Sequence, residues 1–100
     1  MIRAIYHGVV VAESNDATQI DGYTYFPRSA VKMQLLQESD FSTRCPAKGE
    51  ARYWHVQDGN EHQRMNAAFS YEEVKPDFEH MKGWIGFYCS EGDDSVHVEA

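Results

Sequence analysis

The segment "CPAKGEARY" gathers the residues of this chain best suited to chemistry: Cys45, followed by Pro46, Lys48 and Gly49. A thiolate is a nucleophile and a redox centre, and an ammonium nearby lowers the pKa of its thiol. Pro46 biases Cys45 away from the helical region, while Gly49 permits an unusual backbone angle, so a sharp turn is expected here. Such a turn can expose the Cys45 thiol or bring Lys48 close to it. The same pattern also suits a small apolar residue at a strand end with a solvated lysine beside it. Both readings stay open at this point.

Other residues offer weaker chemistry. If Asp58-Gly59 forms a two-residue hairpin, His55 lies opposite His62, a pair able to begin a zinc or copper site. The chain has no HExxH and no CxxC, so no metal ligand set is assigned and no cofactor is expected. The acidic runs "EE" (72–73) and "EGDD" (91–94) could hold Mg²⁺, although such runs are usually solvated. There is no phosphate-binding glycine loop and no nucleophile elbow. Cys89 is expected in the core, on one strand face with Ile85 and Phe87. The tyrosines suggest binding: Tyr23 and Tyr25 alternate onto one face, and Tyr53, Tyr71 and Tyr88 fall on strands or loops. A ring with a polar tip suits the lining of a small-molecule pocket.

Short strands and turns must position these groups. "IRAIY" and "VVVAES" flank His7-Gly8, and "ATQI" and "YTYF" flank Asp21-Gly22, as antiparallel hairpins require. Pro27 is expected to open a helix over 27–37, with Val31 and Leu35 on one face. Strands follow at "FSTRC", "EARYWHV" and "NEHQR", then a short extended piece at "AAFSYEE". Pro76 opens a helical turn, "PDFEHM"; "KGWIGFYC" is a strand, and the end of the chain forms a turn and an edge strand. The result is one mainly β (α+β) domain over residues 1–100, built of antiparallel sheets with one or two short helices.

Composition narrows the partners. One hundred residues with 42 % hydrophobic content can build a core without disulfides or metal. The net charge of −7, with scattered lysines and arginines, argues against nucleic acid and anionic membranes. No stretch approaches the roughly 18 apolar residues of a membrane span, and no signal peptide is read. Two cysteines outside any paired spacing fit a cytoplasmic protein with reduced thiols.

The blocks "AESNDATQIDGYTYFP", "CPAKGEARYW", "NAAFSYEEVKPDFEHMKGWIGFY" and "VHVE" together resemble the DUF427 family of small bacterial domains, which also carries a nucleotidyltransferase-like label. The most specific part is Cys-Pro-x-Lys-Gly-x-Ala-x-Tyr, met by Cys45, Pro46, Lys48, Gly49, Ala51 and Tyr53. The resemblance implies a β-tent-like fold, with antiparallel sheets meeting at an angle. Related tents hold zinc through two cysteine pairs, which this chain lacks. The family commonly has an aromatic where Ala47 stands, and Trp-x-Tyr-Pro where this chain reads Phe69-Ser-Tyr-Glu72. Nucleotidyl transfer normally uses two metals held by carboxylates, and no such carboxylate pair is evident here. Two functions are therefore expected to compete. The first is a module binding a small molecule or peptide through Tyr25, Lys48, Tyr53 and Tyr71. The second is a small enzyme with Cys45 as nucleophile or redox thiol and Lys48 as its electrostatic helper.

Overall fold

Both hairpin turns expected near the N-terminus form for a backbone reason. His7 and Gly8 take φ of 48° and 79°, and Asp21 and Gly22 take 53° and 86°, the left-handed pair that matches the twist of the flanking strands. Ile2–Tyr6 (β1) thus pairs with Val9–Ser14 (β2), and Thr18–Ile20 (β3) with Tyr23–Phe26 (β4). The computed structural model describes residues 1–45, 48–89 and 95–100, except for the side chains of Cys45 and Asp77. The Cys45 thiol, Pro46 and the acidic run at 91–94 therefore lie outside the described residues.

The expected helix over 27–37 does not form. Arg28–Ala30 and Met33–Leu35 are single 3₁₀ turns, and Leu36–Cys45 (β5) is already strand. Val31 breaks the helix. It is extended (φ −104°, ψ 135°) and bridges Ala12, while the Lys32 amide donates to the Val11 carbonyl at 2.8 Å. Pairing with β2 outweighs a weak local helical preference in a segment with no side-chain cap.

Gly49–Gln57 (β6) and Gln63–Val74 (β7) form the longest ladder, and "AAFSYEE" lies within a twelve-residue strand rather than a short piece. Their connection is not a two-residue turn. Asp58 Oδ1 accepts the amides of Asn60 (2.8 Å) and His62 (3.2 Å), and pairing resumes only at Gln57 and Gln63. His55 and His62 are therefore not opposite each other. His55 Nδ1 accepts the Asn66 amide at 3.0 Å, whereas His62 stacks on His7 at 3.9 Å. Among the described residues no three His, Cys, Asp or Glu side chains converge to hold a metal.

Pro76–Met81 forms the expected helical turn, as 3₁₀. Ile85–Phe87 (β8) is shorter than expected, and Val96–Glu99 (β9) is an edge strand. The strands make two antiparallel sheets, ordered β2-β1-β9 and β3-β4-β8-β7-β6-β5, so the fold is mainly β. No helix among the described residues is long and apolar enough to cross a membrane.

The six-stranded sheet is apolar on both faces. One face sends Phe26, Val56, Ile85 and Phe87 against Ala4, Tyr6, Val11 and Val96 of the smaller sheet. The other carries Tyr25, Tyr53, Phe69 and Tyr71, covered in part by Phe78 and Met81 of the 3₁₀ turn. Strand alternation separates the two sets: Thr24, Phe87, Ala68 and Trp54 are aligned on the first face, and Tyr25, Gly86, Phe69 and Tyr53 on the second.

Candidate functional site

The second face brings together all four residues expected to bind a ligand, with Phe69 at its centre. Registry alone places Phe69 between Tyr53 on β6 and Gly86 on β8. Gly86 has no side chain, so the Phe69 ring lies across β8: a Cβ built on Gly86 would stand 2.5 Å from Phe69 Cζ. From there Phe69 meets Tyr23 and Tyr25 edge-on, both at 5.4 Å, Tyr71 at 6.2 Å and Tyr88 at 4.7 Å. Edge-to-face contacts of this kind add about 0.5–1.5 kcal/mol each beyond area burial. Neither Phe69 nor Gly86 stands out in the sequence as a site residue. The one available signal was a glycine inside a strand, which often marks the close approach of another group.

Three of the expected residues gather at one end, around Phe78. Phe78 packs edge-on against Tyr71 (5.4 Å) and Tyr25 (6.1 Å), and Lys48 Nζ lies 5.6 Å from the Phe78 ring centre. Tyr25 is 1 % exposed, so it supports the face from below. Lys48 is ion-paired to Asp21 at 2.6 Å. Asp21 is largely solvated, so the pair contributes within about 1 kcal/mol, but it ties the β3–β4 turn to the turn that precedes β6. The ammonium expected to assist Cys45 already has a carboxylate partner. Gly49 follows at φ 122°, in contact with the Glu73 backbone.

Tyr53 belongs to the other, more open end. Its hydroxyl lies 3.1 Å from Thr43 Oγ1 and 3.2 Å from the Tyr88 hydroxyl, forming a chain of three hydroxyls. The Tyr53 and Tyr88 rings are nearly parallel, 9° apart with centroids at 6.1 Å. Phe41 continues the strip beyond Tyr53 (4.8 Å), and Tyr23 beyond Tyr88 (5.2 Å, 89°). Phe41 and Tyr23 are 50 % and 38 % exposed, so the strip opens to solvent at both ends. Burial pushes the Tyr88 phenol well above its ordinary range, and the hydrogen bond to Tyr53 pushes it further. Tyr88 therefore stays neutral and keeps its hydroxyl hydrogen at any physiological pH.

The remaining expected groups lie elsewhere. Glu72 is held by Arg28, whose Nη1 is 2.9 Å from Oε2 and also reaches the Gly83 carbonyl at 3.3 Å. The Arg28 guanidinium lies over Trp54 at 5.2 Å, so one side chain joins β6 to Glu72 of β7. The expectation of a buried Cys89 is overturned: the residue is exposed, because β8 ends at Phe87 and pairing stops before it. Partial burial of its sulfur pushes the thiol pKa up, and a hydrogen bond from the Val98 amide offsets this in part.

No curated protein matches the sequence. Residues 1–98 match the family described as "Domain of unknown function (DUF427)". With the match spanning both sheets and the whole aromatic face, the chain belongs to the DUF427 family.

Proposed function

We propose that this chain is a binding module that takes a small molecule or peptide on the aromatic face of its six-stranded sheet. The observation that carries this reading is the strip Phe41, Tyr53, Tyr88 and Tyr23, exposed at its rims and joined by the Thr43–Tyr53–Tyr88 hydroxyl chain. Rings supply contact area at little entropic cost, and the hydroxyls fix orientation. Tyr25, Tyr71 and Lys48 hold the platform from its other end. A net charge of −7 favours neutral or basic ligands over polyanions.

The test is a fragment screen by two-dimensional amide and aromatic NMR on the full chain. Binding should shift resonances of Phe41, Thr43, Tyr53, Tyr88 and Tyr23 together, and Tyr53→Phe should weaken those hits at least several-fold. Hits that cluster away from this strip, or a broad screen with none, would refute the proposal.

A further inference from the structure

We infer that the occupant of the aromatic strip is an extended, proline-rich peptide segment carrying a lysine or arginine at one end. This rests on the binding reading above and names its ligand class.

Three observations point the same way. The rings follow one another in steps of 4.8, 6.1 and 5.2 Å from Phe41 to Tyr23. A polyproline II segment rises about 3.1 Å per residue and turns every three residues, so residues on one edge recur about every 9 Å, within the reach of two ring steps. Such a segment makes no internal hydrogen bonds and presents carbonyl acceptors, while prolines offer no amide donors. The polar groups at the centre of the strip are hydroxyls whose chain leaves one hydrogen to donate, from Thr43 or from Tyr88. The ligand's need and the site's supply match in sign.

Charge supplies the direction. Beside Phe41 the surface opens into a cleft of about 260 Å³ whose lining includes Glu38, Asp40, Glu50 and Arg52. Arg52 is engaged by Glu38 at 3.1 Å, and Glu50 faces Arg44 at 3.7 Å. Asp40 is exposed and has no ion-pair partner among the described residues. The Phe41 end of the strip therefore carries an acidic surplus, whereas the Tyr23 end adjoins Asp21, which Lys48 neutralises. A basic side chain is favoured at the Phe41 end, which fixes the peptide's polarity on a platform that is otherwise neutral.

The experiment displays a random dodecapeptide library on phage against the full chain and measures affinities of the enriched peptides by titration. The expected pool carries repeated prolines with one lysine or arginine at a constant end. Replacing its prolines by alanine should cost tenfold or more. Asp40→Asn should weaken binding by several-fold and erase the preference for the basic end, while Tyr88→Phe should weaken all members alike. An enriched pool without prolines overturns the inference. So does an oligosaccharide panel that binds the strip where proline peptides do not. In either case, fragment shifts on the strip would leave the binding reading standing; if neither fragments nor peptides engage it, both fall.

Discussion

Replacing Gly86 by alanine isolates the contact on which the whole aromatic face rests. The added methyl would stand 2.5, 2.8 and 3.0 Å from Phe69 Cζ, Cε2 and Cε1. Carbon atoms in good contact sit about 3.5–4.0 Å apart, so the ring must withdraw by roughly 1 Å. It has little room to do so, since Tyr23, Tyr25, Tyr71 and Tyr88 surround it. Overpacking of this kind costs about 1–3 kcal/mol. Alanine also restricts the unfolded chain, which returns about 0.4–1 kcal/mol at a position with an ordinary φ. The expected net loss is about 1–2 kcal/mol, or roughly 4–16 °C in melting temperature for a domain of this size.

Urea unfolding followed by tryptophan fluorescence measures the loss, with the m-value expected to stay constant. The discriminating step is a double-mutant cycle with Phe69→Leu, which removes the ring atoms that the methyl would strike. In that background Gly86→Ala should be neutral or mildly stabilising, so the two substitutions couple by about 1–3 kcal/mol. Equal cost in both backgrounds would refute the placement of Phe69 across β8. The Gly86→Ala variant should also shift the near-ultraviolet tyrosine signal, because Tyr23 and Tyr88 lean on the same ring.

Gly49→Ala should be more damaging, at about 3 kcal/mol or more, because its φ of 122° adds backbone strain to overlap with the Glu73 carbonyl; its thermal midpoint should fall below that of Gly86→Ala. Tyr88 ionises above the ordinary 10.0 in the folded state, so its contribution is present below pH 10 and is lost as pH rises through the folded value. Absorbance titration near 295 nm should show one late-titrating phenol, and Tyr53→Phe should lower its midpoint by removing a hydrogen bond that raises it. At Asp58 desolvation raises the pKa, but hydrogen bonds from the Asn60 amide and from the ring and amide of His62 together hold it below 3.8. Its stabilisation is therefore present above that value and lost as pH falls through the folded pKa, and Asp58→Asn should flatten the acid limb of urea midpoints measured between pH 6 and pH 3.

Local backbone chemistry was the legible part of the fold. His7-Gly8 and Asp21-Gly22 identified both early hairpins, because few residue pairs accept two positive φ angles in succession. Pro76 marked its helical turn, and alternation along 84–88 separated Ile85 and Phe87 from Gly86 and Tyr88. What misled were positions decided by distant partners. Val31 and Leu35 have helical spacing, yet the Val11 carbonyl and Ala12 claim the backbone there. Asp58-Gly59 reads as a tight turn, yet the Asp58 side chain caps a wider loop. A left-handed Asn66 (φ 52°), with its amide on His55, then helps shift the register of β7. The tyrosines were visible as types, but only pairing across four strands places Tyr25 and Tyr53 on either side of Phe69. Phe41 and Thr43 carry no signal in the sequence beyond strand, since their place beside Tyr53 follows from an irregular β5–β6 register.

The hydroxyl chain would let the proposed binding face orient a ligand without charge of its own. Three hydroxyls joined by two hydrogen bonds carry three donor hydrogens, of which the chain consumes two. One hydrogen is left at whichever end the chain points to, and reversing all three rotors moves it from Thr43 to Tyr88. The site can therefore donate at either end without breaking a bond, provided that neither phenol ionises. Burial of Tyr88 and its bond to Tyr53 favour the neutral form of the Tyr88 phenol by raising its pKa. A formal cation in the same place would attract any anion, and in this acidic chain Lys48 is instead paired with Asp21. On the proposed reading, selectivity at the strip would come from shape and from the direction of neutral hydrogen bonds, with Asp40 beside Phe41 adding a single preference for positive charge at one end.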